Sequence, residues 1–391
     1  MSSDQDVFEA LVTGAPIIGK MITPVQFTKA IVLTACFGVL IGLILSKVYL
    51  SFLNLLFGSG HLRGRPDLKF QSFWVETSHG RVRTVRVTGR RLTSEKRPLV
   101  MLIHGYAGSL DVYADPCRSN YCARLCDAGF DVVAFDLYGH GGSDCPDTLF
   151  SAELFASQVA EVCISLDIRE PFILLAHSMG SSVAVTFTHR YPSLVSKLIL
   201  ISPSVADKPM ELRLRIALRI PFFREVLSYF IIPTFGEGTN DDNAGMLRAC
   251  YRLLETRLRS GGSWNAGDVK TLQMLEKLAR SPSLSSSHSI LVLWGESDDV
   301  IEFDQAKLLA PVIPHARLCV LGEADHMAFA DGSALAREFF AERILAFLKE
   351  EPGRFTTSLG DYFSDRGKDD GMADVRSIQI HDDVEACYEP L

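Results

Sequence analysis

Residues 172–190, FILLAHSMGSSVAVTFTHR, decide the fold. The run from Phe172 to Ala176 is short, continuous and apolar, as in a strand that is buried on both faces. A helical pattern follows shortly afterwards, and Ser178 lies at the junction with Gly180 two residues on. The pattern is G-x-S-x-G with Ala176 in the first position. It predicts a sharp strand-to-helix turn that holds the serine hydroxyl above the edge of a sheet.

A serine hydroxyl is a weak nucleophile at neutral pH. Ser178 therefore needs a base to take its proton and a third group to orient that base. Loops after two later apolar runs carry Asp298 and His326, in the order serine, acid, histidine. Both loops follow strands at the ends where ligands bind in open α/β sheets. We predict Ser178 as nucleophile, His326 as base and Asp298 as acid. Asp299 and Glu296 compete for the role of the acid.

The oxyanion of an acyl-transfer intermediate needs N–H donors. The apolar run 99–103 leads into a glycine-containing turn at residues 104–108. The backbone amides of Tyr106 in this turn and of Met179 after the serine are the expected pair. Met179 lies just before the predicted helix, whose N-terminal amides favour negative charge. This chemistry requires no metal and no organic cofactor.

Apolar runs alternate with helical patterns, which predicts a doubly wound α/β sheet with helices on both faces. The first two strands are joined through residues 78–80. The predicted strands cover residues 70–75, 82–87, 99–103, 132–135, 172–176, 198–201, 290–294 and 318–321. The predicted helices cover residues 119–128, 151–166, 181–190 and 334–348.

The alternation breaks between residues 202 and 289, a stretch too long for a simple crossover. We expect an inserted cap over the sheet at about residues 204–287. A packing subdomain without a role in substrate binding is the alternative. Residues 222–231 carry apolar side chains at helical spacing. Residues 212–220 alternate apolar side chains with arginines and fit either a strand or a basic amphipathic helix.

Five motifs, in order, resemble the α/β-hydrolase superfamily, and within it the lipase and esterase branch with a cap after the sixth strand. They are His104-Gly105, Asp136-Leu-Tyr-Gly-His-Gly-Gly-Ser143, His177-Ser-Met-Gly180, Gly295-Glu-Ser-Asp298 and His326. The resemblance covers residues 65–350 and implies a mostly parallel, eight-stranded sheet. It also implies the same nucleophile, acid and base as above. The motif that begins at Asp136 is structural in this family.

The chain departs from the family pattern at Ala176 and at Ser181, where glycine is common, and neither change removes a catalytic group. Epoxide hydrolases and dehalogenases of the same fold carry an aspartate at the strand-to-helix turn, in place of the serine. Ser178 therefore argues against both.

A membrane anchor is predicted near the N-terminus, after an initial segment at residues 1–29. Residues 30–45, AIVLTACFGVLIGLIL, are uncharged, and apolar residues continue past Lys47 to Phe57. About 20 apolar residues cross a bilayer as a helix, so residues 30–57 suffice if Lys47 reaches the interface. A buried core helix is the alternative. The positive-inside rule predicts that the enzyme domain lies in the cytosol, because more basic residues follow the span than precede it.

Residues 351–391 carry a net charge of -6 out of -8 for the whole 391-residue chain. They contain few core-forming residues, which predicts a disordered acidic tail, with an interaction peptide as the alternative. The acidic balance argues against a nucleic-acid partner. Nine scattered cysteines make a poor disulfide framework.

A single span ahead of such a domain resembles membrane-bound monoacylglycerol and lysophospholipid lipases. This resemblance implies a lipid ester as substrate and the bilayer as partner, and leaves the oligomeric state open. Two alternatives remain. One is a lipid acyltransferase on the same fold, because the spacing from His326 to Asp331 reads H-x4-D, which is found in some of these enzymes. Asp331 more simply caps the helix that begins near Ser333. A non-catalytic membrane scaffold on the same fold is the other.

Overall fold

A computed structural model describes residues 70–90, 97–205, 253, 268–282, 284, 286, 289–350 and 358. The predicted N-terminal segment, the anchor at residues 30–57, most of the cap at residues 204–287 and the tail apart from Ser358 lie outside these residues. Within the described ranges, no helix is both long and apolar enough to cross a bilayer.

The predicted α/β sheet is confirmed, with eight strands. They are β1 (Phe73–Thr77), β2 (Gly80–Val87), β3 (Leu99–Ile103), β4 (Asp131–Phe135), β5 (Phe172–His177), β6 (Val195–Ile201), β7 (Ile290–Gly295) and β8 (Arg317–Leu321). Their spatial order is β1-β2-β4-β3-β5-β6-β7-β8. β2 runs antiparallel to both β1 and β4, and every other neighbouring pair is parallel.

Each of the four predicted helices is present, and further helices accompany them. The helices are α1 (Asp111–Ala114), α2 (Tyr121–Asp127), α3 (Ala152–Ser165), α4 (Met179–Arg190), α5 (Asp268–Ala279), α6 (Ala306–Leu309) and α7 (Ala334–Leu348). Ser151 begins α3 as its N-cap, where its hydroxyl accepts the N–H of Leu154 at 3.2 Å. Such a cap satisfies one of the N–H groups that have no partner within the helix.

The sheet is covered on both faces, which explains why its central strands are continuous apolar runs. Successive side chains of a strand point to opposite faces. Met101 and Ile103 of β3 therefore join one core layer with α3 and α4. Val100 and Leu102 join the other layer, with α2 and α7.

Several bounds differ from the expectation, and β6 begins at Val195 rather than at residue 198. β1 begins at Phe73 rather than at residue 70, because its ladder with β2 runs from Phe73 opposite Thr84 to Thr77 opposite Gly80. The last part of the interval predicted as a cap contains α5, which packs against α4. Its side chains Leu275 and Leu278 are buried in the same core layer as that helix.

The parallel arrangement determines where the site lies. β3, β5, β7 and β8 run in one direction, so the loops that follow them emerge at one edge of the sheet. These are the loops that carry Tyr106, Ser178, Asp298 and His326.

Candidate active site

Ser178 occupies the turn between β5 and α4, as the sequence predicts. Its backbone has φ 50° and ψ -122°, a conformation that side-chain-bearing residues rarely adopt and that concentrates at functional sites. The Ser178 N–H donates to the carbonyl of Ile201, at the end of β6, over 2.9 Å. The strained turn is therefore held by the neighbouring strand.

Two glycines allow the chain to pack tightly around this turn. A Cβ at Gly180 would lie 2.5 Å from the carbonyl oxygen of His104. A Cβ at Gly105 would lie 2.9 Å from the Cβ of Ser178. The loop after β3 can therefore approach the serine turn closely only because neither position carries a side chain.

His326 and Asp298 are in direct contact. The Nδ1 atom of His326 lies 2.8 Å and 3.0 Å from the two carboxylate oxygens of Asp298, and both side chains are buried. The Asp298 carboxylate also accepts the N–H groups of Val300 and Ile301, at 3.0 Å and 2.8 Å. These donors fix the carboxylate, which in turn fixes the orientation of the imidazole.

Asp299 and Glu296, the two alternative candidates for the catalytic acid, are placed differently from Asp298. Asp299 is exposed, and Glu296 is only partly buried. Asp298 is the residue whose carboxylate meets the imidazole.

His104 shapes the turn that carries Tyr106. Burial lowers the pKa of His104 to about 3, so the ring is neutral, with one N–H to donate. Its Nε2 accepts the N–H of Leu137 at 3.0 Å, so the proton is on Nδ1, which donates to the Gly105 carbonyl at 2.8 Å. In a trans peptide the N–H points opposite to the carbonyl. The Tyr106 amide is therefore directed away from His104.

The second expected amide belongs to Met179, the first residue of α4. The first N–H groups of a helix have no acceptor within it, and they present partial positive charge at its N-terminus. This amide lies directly beside Ser178, where an oxyanion would form.

A buried ionic cluster behind the site has no signature in the sequence. Arg83 of β2 donates to both carboxylate oxygens of Asp111, at 2.9 Å and 3.1 Å, and lies 3.4 Å from the Asp136 carboxylate. Asp136 accepts the N–H groups of Leu110 at 2.6 Å and Gly142 at 2.8 Å. Burial raises the pKa of Asp136 to about 7, and Arg83 opposes this rise. The cluster joins the loops after β3 and β4, in agreement with a structural role for the Asp136 motif.

The loop after β8 is fixed by an ion pair distant in sequence. Arg118 donates through two nitrogens to both carboxylate oxygens of Asp331. The expectation that Asp331 caps the following helix is wrong. Ser333 is the N-cap of α7, and its hydroxyl accepts the N–H of Ala336 at 3.1 Å.

His177, next to the serine, is a further feature that sequence reasoning missed. Its Nε2 lies 3.1 Å from the backbone carbonyl of His326. It thereby connects the turn that holds Ser178 to the loop that holds the histidine. In the part of the chain that the structure describes, no group of three or more His, Cys, Asp or Glu side chains is placed to hold a metal ion.

Comparison with known proteins identifies the fold family. Residues 98–333 match the family model of the alpha/beta hydrolase fold. The chain belongs to that family, which confirms the superfamily resemblance.

Two relatives and two solved structures illustrate the similarity. An uncharacterized protein of Mycobacterium tuberculosis is 26% identical over 298 residues, 70% of this chain and 81% of the relative. Mouse epoxide hydrolase 4 is 26% identical over 288 residues, 66% of this chain and 75% of the relative. A serine hydrolase of Cycloclasticus zankles has a TM-score of 0.51 at 18% identity, covering 73% of this chain and 99% of that structure. An esterase of Exiguobacterium antarcticum has a TM-score of 0.50 at 20% identity, covering 71% of this chain and 100% of that structure.

Proposed function

We propose that the protein is a membrane-anchored serine hydrolase that cleaves carboxylic ester bonds of lipids of the monoacylglycerol or lysophospholipid type. The observation that carries the proposal is the contact between His326 and Asp298, on loops that emerge at the same sheet edge as the strained Ser178 turn. A serine, a histidine and a buried carboxylate in this relationship form the machinery of nucleophilic acyl transfer.

In the first half of the reaction, Ser178 Oγ attacks the ester carbonyl while His326 Nε2 takes the hydroxyl proton. Asp298 holds Nδ1–H of the imidazole and stabilises the positive charge that develops on the ring. The amides of Tyr106 and Met179 stabilise the oxyanion. The C–O bond to the alcohol then breaks, and His326 returns the proton to the departing alcohol, which leaves an acyl ester on Ser178.

In the second half, water replaces the alcohol. His326 takes a proton from the water as the water oxygen attacks the acyl carbonyl. Collapse of the intermediate breaks the bond to Ser178 Oγ and returns the proton to it. The products are a fatty acid and the free enzyme, so atoms and protons balance.

The lipid part of the proposal rests on the sequences of the N-terminal segment and of the predicted cap. An anchor at residues 30–57 would keep the enzyme at the bilayer, where long-chain esters reside. The apolar residues in the range 222–231 fit the same substrate class, because an anchored enzyme with an apolar cap would meet a lipid at the bilayer surface. Arginines in residues 212–220 would favour anionic headgroups by about 1 kcal/mol each if they lie near the surface.

Labelling with a fluorophosphonate probe tests the nucleophile. The native protein should be labelled at Ser178, as read by mass spectrometry of the modified peptide. Ser178→Ala should remain unlabelled and should lose nearly all ester hydrolysis. Ser181→Ala is the matched control, because this buried serine lies on the first turn of the same helix. Labelling of Ser178→Ala at the native rate would refute the mechanism.

The substrate class is tested with two sets of compounds. Lipid monoesters, including a monoacylglycerol and a lysophospholipid, should release free fatty acid. Aliphatic epoxides serve as the contrasting set, because one relative is named an epoxide hydrolase. Epoxide hydrolases of the same fold carry an aspartate at the position where this chain has Ser178. Turnover of epoxides without turnover of esters would reject the proposal.

Alkaline carbonate extraction of membranes tests the anchor. The native chain should stay in the membrane pellet. Leu40→Arg with Ile44→Arg should release it, since a charge at the centre of a span costs about 2.5–3.5 kcal/mol per residue. Release of the native chain by carbonate would contradict an integral anchor.

A further inference from the structure

The residue before the nucleophile holds the backbone of the base. His177 ends β5 and directly precedes Ser178. It is 4% exposed, and its ring packs 4.7 Å from the ring of His326 and 4.5 Å from that of Phe329, centroid to centroid. Its Nε2 lies 3.1 Å from the carbonyl oxygen of His326.

The direction of this hydrogen bond follows from protonation. Burial lowers the pKa of His177 well below its ordinary value, so the ring is neutral at physiological pH. A neutral imidazole carries one N–H, and a carbonyl oxygen can only accept. Nε2 must therefore hold the proton, which leaves Nδ1 as the unprotonated nitrogen, on the side facing Gly105.

We propose that His177 is a positioning residue that sets the place of the His326 imidazole relative to Ser178 through its hydrogen bond to the His326 backbone. This inference rests on the proposed function. His326 is then held at two points, with Asp298 fixing its side chain and His177 fixing its main chain. Because His177 and Ser178 are adjacent, the nucleophile and the base share one rigid link.

The link matters because proton transfer depends on short distances. A general base must lie within hydrogen-bond reach of the hydroxyl that it deprotonates. A displacement of about 1 Å can lower a rate by about 100-fold. Loss of the His177 donor would remove one restraint on the backbone at His326, while the Asp298 contact would still orient the ring.

Three substitutions separate the donor from the ring. His177→Phe keeps an aromatic ring against Phe329 but has no donor. His177→Gln places an amide nitrogen three bonds from Cβ, as far along the side chain as Nε2, whereas His177→Asn places it only two bonds away. The glutamine and asparagine variants are both buried amides, so they differ mainly in reach.

We expect His177→Phe and His177→Asn to lower kcat by about 10- to 100-fold with KM changed by less than about threefold, because placement of the base governs the chemical step. His177→Gln should recover kcat to within about fivefold of the native value, since its N–H reaches the carbonyl. Kinetics with a monoacylglycerol, the rate of fluorophosphonate labelling and the thermal midpoint are measured for each variant. If His177→Phe fails to fold, the glutamine and asparagine pair decides the question.

The outcomes separate this inference from the function on which it rests. Absence of labelling and hydrolysis in the native protein would reject the proposed function. A native protein that is labelled and active, with a His177→Phe variant within twofold of it, would overturn the positioning role. Equal loss in the glutamine and asparagine variants would also overturn it, because the donor would then be irrelevant.

Discussion

Both carboxylate oxygens of Asp298 meet Nδ1 of His326, at 2.8 Å and 3.0 Å. Asp298 lies in the loop after β7, and His326 lies in the loop after the neighbouring strand β8. The carboxylate is itself held by two backbone N–H groups, of Val300 and Ile301. Both N–H groups bind Oδ1, so the carboxylate is held facing the ring, where it favours the tautomer of His326 that carries the proton on Nδ1. That tautomer leaves Nε2 as the basic nitrogen.

Asp298→Asn should lower kcat by about 10³- to 10⁴-fold, because an amide donor facing Nδ1 favours the wrong tautomer. Asp299→Asn, one residue further on and exposed, is the matched control and should stay within about twofold of the native kcat. Steady-state hydrolysis of a lipid ester measures both. A larger loss in the Asp299 variant would move the acid by one position.

Gly105→Ala should lower kcat while the protein still folds. The added Cβ would lie 2.9 Å from the Cβ of Ser178 and 3.0 Å from Nδ1 of His177, so the turn that carries Tyr106 must shift. We expect kcat to fall by at least about tenfold and stability by about 1–3 kcal/mol. Gly322→Ala is the control, because its Cβ would meet only a Glu296 side-chain oxygen at 3.6 Å. Equal activity of the two variants would contradict the close approach.

Much of the fold could be predicted because its signals are local. Strands buried on both faces are continuous apolar runs, and the order of serine, acid and histidine follows the order of strand-end loops. The turn at Ser178 was marked by its neighbours Ala176 and Gly180. The strands and the serine turn depend on residues that are adjacent in the chain, and the order of the catalytic residues follows from the order of the strands.

The rest depends on partners that no local pattern marks. Arg83 meets Asp111 and Asp136, which are 28 and 53 positions away. The sequence offered Asp298 and Asp299 as neighbours, and only the geometry of the loop distinguishes them. The hydrogen bond from His177 ends on a backbone carbonyl, which every residue possesses, so the identity of its partner leaves no trace in the sequence.

Arg83→Met should destabilise the fold. Removal of one partner from a buried ion pair leaves an uncompensated charge and costs about 3–5 kcal/mol. Here two carboxylates, Asp111 and Asp136, would lose their cation. Arg90→Met is the control, because Arg90 pairs with Asp127 at the exposed surface and should cost less than about 1 kcal/mol. Urea unfolding measures both, and similar midpoints would refute the prediction.

Protonation of three buried histidines should lower the stability of the fold as the pH falls below about 6.5, whereas Asp136, whose pKa burial raises to about 7, acts in the opposite direction. Burial lowers the pKa of three histidines, to about 3 for His104, to about 4 for His140 and well below the ordinary range for His177. In the unfolded chain each titrates near pH 6.5. Between that pH and the folded values, the unfolded state binds more protons, so acid favours unfolding. His104 and His140 should each cost on the order of 1 kcal/mol between pH 7.5 and pH 5.5, and His177 acts in the same direction.

His140→Phe isolates one of these contributions. The ring of His140 lies 6.2 Å from that of Phe155, centroid to centroid, and phenylalanine keeps an aromatic ring there. The variant should lose on the order of 1 kcal/mol less than the native protein over the same pH interval, whatever its stability at pH 7.5. Urea unfolding at both pH values gives the difference. Equal losses would show that His140 is protonated in the folded state.

Substitutions of Arg118 and Asp331 test whether the H-x4-D spacing marks an acyltransferase. Asp331 is engaged on both carboxylate oxygens by Arg118, which indicates a role in holding the His326 loop. Arg118→Gln and Asp331→Asn should therefore lower hydrolysis by similar factors, and the double variant should be no worse than either. With a lysolipid and a labelled acyl donor, the ratio of diacyl product to free fatty acid should stay at the native value in all three variants. Selective loss of diacyl product in Asp331→Asn, with hydrolysis and the Arg118 variant unaffected, would instead make Asp331 part of an acyltransferase.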